Sequence, residues 1–234
     1  ARSNKSPVQD QFFVTDLMSE VKAGESTTGS VLFPLWLQPG ERLEGETNEP
    51  TLPGLDPTQD STVRPNLGQS LIDLLQSRMG LKLATSAEGD RTTSVGPRDV
   101  LDYIYAVTYS RTYRVRYEQF LRSDYPRIPF VSDPAMFWRL RDLGHQLVDL
   151  HTLRAAALDS GPAVAPTNGT NRIDKITVSK RWVESDDHGG GYLVLNLDGG
   201  ADGGIQILPN VTREVWGFHI GGHPVLHKWL DARN

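Results

Sequence analysis

The chain has 234 residues, a formal net charge of −5, 38% hydrophobic and 23% charged residues, and no cysteine. That is enough apolar material to pack one large domain or two small ones, and it excludes global disorder, disulfides, thiolate metal sites and a cysteine nucleophile. The acidic balance argues against a protein that coats nucleic acid nonspecifically, because such binding relies on many cations displacing counterions, yet it leaves room for a localised basic face.

No apolar run is long enough to span a bilayer, and the start, ARSNKSPVQDQFF, has neither the apolar stretch of a signal peptide nor an initiating Met. The chain therefore reads as an excised or processed piece. QFFVTDL predicts a short strand from its β-favouring Phe12, Phe13, Val14 and Thr15. SVLFPLWL is a second apolar run in which Pro34 restricts the chain to an edge strand or an extended segment. From Gln38 to Pro65 the density of Pro, Gly and acids predicts a long loop.

A helical middle follows. Asn66 is placed to cap a helix carrying Leu67, Leu71, Leu74, Leu75 and Met79 and stopped by Gly80. Pro97 suits a first helical turn, with Val100, Leu101, Tyr103, Ile104 and Val107 inward. Ser110 opens a further helix with Tyr113, Tyr117, Phe120 and Leu121 inward. Pro126 and Pro129 forbid helix in SDYPRIPF. Asp133 and Pro134 start the last of these helices, which carries Phe137, Leu140, Leu143, Leu147, Val148 and Leu150 and is expected to run to about Ala157.

Asp159 to Asn171 reads as a linker, after which the period switches to strands at Ile173 to Val183, Tyr192 to Leu197 and Ile205 to Leu208, with Gly-rich hairpin turns at HGGG and DGGADGG. Thr212 caps a short turn or helix, and a final helix covers Pro224 to Leu230. The class is α+β: a helical middle of three to four helices packed with a small, mainly antiparallel sheet and a C-terminal helix. The organisation is N-terminal strands and long loop over 1–65, a helical subdomain over 66–158, a linker loop over 159–172, and a β-rich segment closed by a helix over 173–234.

Chemistry is conspicuous by its motifs' absence: there is no GxxxxGK[ST], no strand–GxGxxG–helix, no Asp/Asn-Pro-Pro-aromatic, no GxSxG and no HExxH. Asp186-Asp187-His188 beside three glycines reads as a solvated turn more readily than as a metal or nuclease cluster. His219, His223 and His227 recur every four residues, but Gly221, Gly222 and Pro224 interrupt a helix there and no carboxylate sits beside them. Architecture is favoured over a metal site.

Four segments carry a resemblance: FFVTDL with VLFPLWL; DVLDYIYAVTYSRTYRVRYEQFLRSDYPRIPF; LGHQLVDLHTL; and VWGFHIGGHPVLHKWLDAR. In this order they are similar to the C-terminal region of the type ISP restriction–modification enzymes. In that family one polypeptide carries a nuclease, an ATP-driven helicase-like motor, an adenine-N6 methyltransferase and a terminal target-recognition region. The resemblance implies that this chain is the last of these: a bacterial, cytoplasmic DNA specificity domain without a cofactor of its own. ATP, Mg and S-adenosylmethionine belong to the parent enzyme's other parts. Its partners would be double-stranded DNA and the upstream methyltransferase and helicase-like domains, with no membrane. Where the family usually has a polar residue and a Tyr, this chain has His219 and His223, which weakens a ligand role for them. The expected structural motif is Trp216, Phe218 and Ile220 packed inward, a tight turn at Gly221-Gly222, and Val225, Leu226 and Trp229 anchoring the last helix.

Reading DNA needs phosphate contacts for position and base-edge contacts for sequence. The richest supply of cations is Arg111, Arg114, Arg116, Arg122 and Arg127, against Glu118 and Asp124; a solvated face with internal ion pairs is the competing reading. Lys175, Lys180 and Arg181 form a second candidate beside Trp182, although alternation on a strand points Lys180 and Arg181 to opposite faces. Asn196 and Gln206 are available for adenine contacts. A scaffold domain that packs on the methyltransferase without reading bases is the alternative function.

Overall fold

The computed structural model describes residues 12–19, 31–38, 62–159, 182–196, 205–220 and 223–231. The chain divides into two compact units, Val31–Thr152 with Val14–Asp16, and Leu153–Asn234 with Ala1–Phe13 and Leu17–Ser30.

In the first unit β1 (Trp36–Leu37) pairs antiparallel with β2 (Arg64–Pro65). The long connection therefore ends in a strand rather than in loop. Asn66 fastens this pair: its N–H donates to the Leu35 carbonyl at 2.9 Å and its side-chain amide to the Pro34 carbonyl at 2.7 Å. That corrects its expected role as a cap, because the amide is already engaged by a distant segment. Helix α1 (Gln69–Met79) starts behind Gly68 with no side-chain cap, and it stops as expected at Gly80, whose φ is 69°. The FFVTDL segment is irregular, which corrects the expected strand: within 12–19 the backbone has no ladder partner.

β3 (Lys82–Leu83) and β4 (Ser94–Val95) pair in parallel and lead into α2 (Pro97–Tyr109). Pro97 occupies the first turn, and the Asp99 carboxylate accepts the Gly96 N–H at 2.9 Å and the Gly89 N–H at 2.8 Å. Ser110 caps α3 (Arg111–Arg116), its hydroxyl accepting the Tyr113 N–H. The single helix expected here breaks at Tyr117 (φ −109°, ψ 16°) and resumes as α4 (Glu118–Ser123). The break turns Tyr117 outward, whereas Tyr113 and Leu121 are buried as expected.

Helix α5 (Pro134–His151) is capped by Asp133, which accepts the Ala135 N–H at 3.0 Å. It ends earlier than the sequence suggests. Thr152 directs both its N–H and its hydroxyl to the Val148 carbonyl, Leu153 adopts φ 60°, and only a short 3-10 turn follows at Ala156–Leu158.

The core of this unit is the packing of α2 on α5. Helix α5 buries Phe137 and Val148 as expected, with Leu140 and Leu147 half-buried, but Leu143 and Leu150 are exposed and Arg141 and Gly144 are buried in the core face. Two features set this rotation. A Cβ on Gly144 would stand 1.7 Å from the Asp102 carbonyl oxygen, so the helices touch backbone to backbone there. Arg141, 3% exposed, reaches the equally buried Asp99 at 2.8 Å and Asp102 at 3.7 Å. A buried guanidinium is tolerated only with such partners, which anchors it to α2.

In the second unit β5 (Trp182–Val183), β6 (Tyr192–Asn196) and β7 (Ile205–Pro209) form an antiparallel sheet in that order, with a 3-10 turn at Asp186–His188 inside the first connection. Thr212 caps α6 (Arg213–Trp216), accepting the Val215 N–H at 3.2 Å. β8 (His219–Ile220) and β9 (His223–Pro224) pair antiparallel ahead of α7 (Val225–Asp231). Leu230 is buried against Leu208 and Trp216. The architecture is α+β, as the periodicities indicate.

Candidate nucleic-acid interface

The five arginines of α3, α4 and the segment after them are not equivalent. Arg111 and Arg116 are exposed and have no ion pair among the described residues. Arg122 meets Glu118 at 2.5 Å, one helical turn away. Arg127 is 83% exposed, lies over the Phe120 ring at 5.0 Å and is only loosely paired, 4.0 Å from Asp124. Exposed pairs of this kind contribute little and are readily exchanged for another anion.

Arg114 is turned inward instead. Its Nε donates to the Thr108 carbonyl at the end of α2 at 2.7 Å, and its guanidinium lies 4.3 Å from the centre of the Tyr109 ring. A cation there complements the carbonyl end of α2. Beside it the Tyr105 hydroxyl bonds His151 Nδ1 at 2.6 Å. Burial, reinforced by the Arg114 charge, holds the His151 imidazole below its ordinary pKa. Arg114 is thus half-buried and engaged at the joint between helices, which leaves it less available to a ligand than the exposed Arg111 and Arg116.

From Asp124 to Phe130 the chain leaves the helix, and exposure alternates along it. Tyr125, Arg127 and Pro129 point outward, while Pro126, Ile128 and Phe130 are half-buried. Two buried tyrosines hold its backbone. The Tyr103 hydroxyl donates to the Pro129 carbonyl at 2.7 Å and the Tyr113 hydroxyl to the Arg127 carbonyl at 2.9 Å. Phe130 stacks on Tyr103 at 4.9 Å, and Tyr103 on Phe137 at 4.8 Å. Tyr125 meets the exposed Phe33 edge to face at 5.9 Å. Neither Tyr125 nor Phe33 is singled out by the sequence; the signal that points to Tyr125 is its place two residues before Arg127 on an alternating, proline-stiffened segment.

Lys175, Lys180 and Arg181 lie outside the described residues, as do Gly221 and Gly222. Asn196 and Gln206 are paired in the β6–β7 ladder, opposite Ile205 and Leu195. Trp216 is half-buried and packs on His227, ring centres 4.1 Å apart. Phe218, expected to pack inward, is 52% exposed, and Trp229, expected to anchor the last helix, is 40% exposed; Leu230, one position after Trp229, is buried. His223 stands in β9, not on the helix that carries His227, and His219 Nδ1 contacts the Gly217 carbonyl. Among the described residues no group of three His, Cys, Asp or Glu side chains is arranged to hold a metal.

The charge cluster at the start of α2 escapes a sequence reading. Arg141 joins Asp99, Asp102 and Asp142, and its Nη2 lies 2.9 Å from a Glu88 oxygen, close enough for an ion pair though poorly aligned for a hydrogen bond. Asp102 also bonds His145 Nδ1 at 2.9 Å and Arg98 at 3.2 Å. Burial pushes the Asp102 carboxyl above the usual range, with His145, Arg98 and Arg141 pulling it back. The cluster locks α5 to α2 and so sets the ground on which α3, α4 and the segment after them stand.

A family model described as the Type ISP C-terminal specificity domain matches residues 1–234, the whole chain. No curated protein and no solved structure matches it.

Proposed function

We propose, from the premise that this chain belongs to the Type ISP C-terminal specificity domain family, that it recognises the DNA target on behalf of an adenine-N6 methyltransferase and an ATP-dependent nuclease. Target recognition is the family's role. Methylation and restriction are assigned here to other domains of a bacterial, cytoplasmic enzyme, and ATP, Mg and S-adenosylmethionine would be bound there. No described helix is long and apolar enough to cross a membrane.

The observation that carries the reading is the concentration of cations on α3, α4 and the segment after them. Five arginines stand against Glu118 and Asp124 in a chain of net charge −5. Local cations on an acidic protein are suited to a defined phosphate track rather than to general attraction. Arg111 and Arg116 are the primary phosphate contacts, Arg122 and Arg127 the secondary ones. The test is selection from a random pool of DNA duplexes at low and moderate salt with the 234-residue chain. An enriched motif, which Arg116→Gln binds more weakly and with a lower salt slope while the preferred sequence is kept, supports target reading. Binding that falls steeply with salt but enriches nothing reduces the role to holding phosphates.

A second reading, a docking domain that packs on the methyltransferase, is favoured by α5. Met136, Leu143 and Leu150 share one helical face and are 41%, 55% and 39% exposed, a patch of the sort that marks protein contacts. Failure to bind any duplex at either salt would select this reading.

A further inference from the structure

We infer that Tyr125 and Phe33 form an apolar contact with duplex DNA, packed on sugar or base faces, with Arg127 on an adjacent phosphate. This rests on the DNA-reading role proposed above and names residues that role does not require. Phe33 is 70% exposed and Tyr125 52%, yet the two rings meet edge to face. Exposed aromatic rings are costly to leave in water, and such a pair held together on a surface marks a binding site more often than an isolated apolar residue does.

Rigidity distinguishes this place from an ordinary loop. The Tyr103 and Tyr113 hydroxyls fix the carbonyls of Pro129 and Arg127, and Pro126 and Pro129 restrict the backbone on either side. Tyr125, Arg127 and Pro129 therefore project from one face of a segment that loses little further entropy on binding. Charge selects the partner. The same stretch holds the chain's densest arginines, and its two acids are already matched to Arg122 and Arg127. An aromatic surface beside surplus arginines fits a polyanion that also offers flat apolar faces, which describes nucleic acid better than a protein surface.

The two kinds of contact have different salt signatures, and this separates them. The affinity of the whole chain for a labelled random-sequence duplex pool is measured across a series of salt concentrations, for wild type, Tyr125→Ala, Phe33→Ala, Tyr125→Phe and Arg127→Gln. Circular dichroism and thermal melting check each fold. Tyr125→Ala and Phe33→Ala are expected to weaken binding about five- to tenfold with the salt slope unchanged, as a lost stacking contact does. Tyr125→Phe keeps the ring and most of the affinity. Arg127→Gln lowers the slope of log K against log salt by about one, as a lost phosphate contact does. If the two alanine variants are folded and bind as wild type does, the inference is wrong while the DNA-reading role stands. If wild type binds at no salt concentration, the DNA-reading role fails and the inference fails with it.

Discussion

At the scale of single residues the decisive feature is how charges are buried or left free. Arg141 and Asp99 are each almost fully buried and bonded to one another. Removing one partner of a buried pair leaves the other uncompensated, at a cost of about 3–5 kcal/mol. Arg141→Met is expected to lose that much stability in urea unfolding; a loss below about 1 kcal/mol would mean that the pair is not what joins the helices. Arg114 and Arg111 differ in the same way. Arg114 is held by the Thr108 carbonyl and the Tyr109 ring, whereas Arg111 is exposed and has no ion pair among the described residues. Arg111→Gln should therefore flatten the salt dependence of DNA binding. Arg114→Gln should lower the melting temperature and leave the slope alone, and a flattened slope in that variant would return Arg114 to the DNA surface. His151 adds a pH dependence. Its folded pKa lies below the ordinary 6.5, so as pH falls through 6.5 the unfolded chain takes up a proton that the folded chain resists. Stability is full above that pH and declines below it, until the folded-state imidazole is itself protonated. His151→Gln should remove this part of the acid loss in melts recorded at successive pH values.

At the scale of elements, starts and stops follow local chemistry and rotations do not. Ser110, Asp133 and Thr212 cap the helices that their sequences announce, and Gly80 ends α1. These signals are legible because a cap bonds within its own turn. The rotation of α5 is not legible. A reading by hydrophobicity turns Leu143 inward, whereas the helix presents Arg141 and Gly144, because Gly144 allows backbone contact with Asp102 and the acids of α2 receive the guanidinium. Gly144→Ala should force α5 away from α2 and cost about 3 kcal/mol or more, which thermal or urea unfolding would measure. A variant that melts with wild type would show that the helices have room to spare.

At the scale of the whole molecule, an acidic chain carries a local excess of arginine, and an apolar stripe lies along α5 of the same unit. Because Leu143 is exposed, Leu143→Asp is expected to leave melting and DNA affinity unchanged, while weakening any association of this chain with a methyltransferase domain in sedimentation. Loss of DNA binding in this variant would instead make the stripe part of the nucleic-acid face. The sequence by itself determined the family, the α+β class, the caps and the proline-bounded non-helical segment, since each depends on residues close together in the chain. Only the tertiary structure decided that Asn66 fastens a strand pair, that Arg114 is spent on a helix joint, and that Tyr125 meets Phe33. In each of these the partner stands on a different element, across a turn for Arg114 and far along the chain for Asn66 and Tyr125, and no periodicity within a segment records a contact with another.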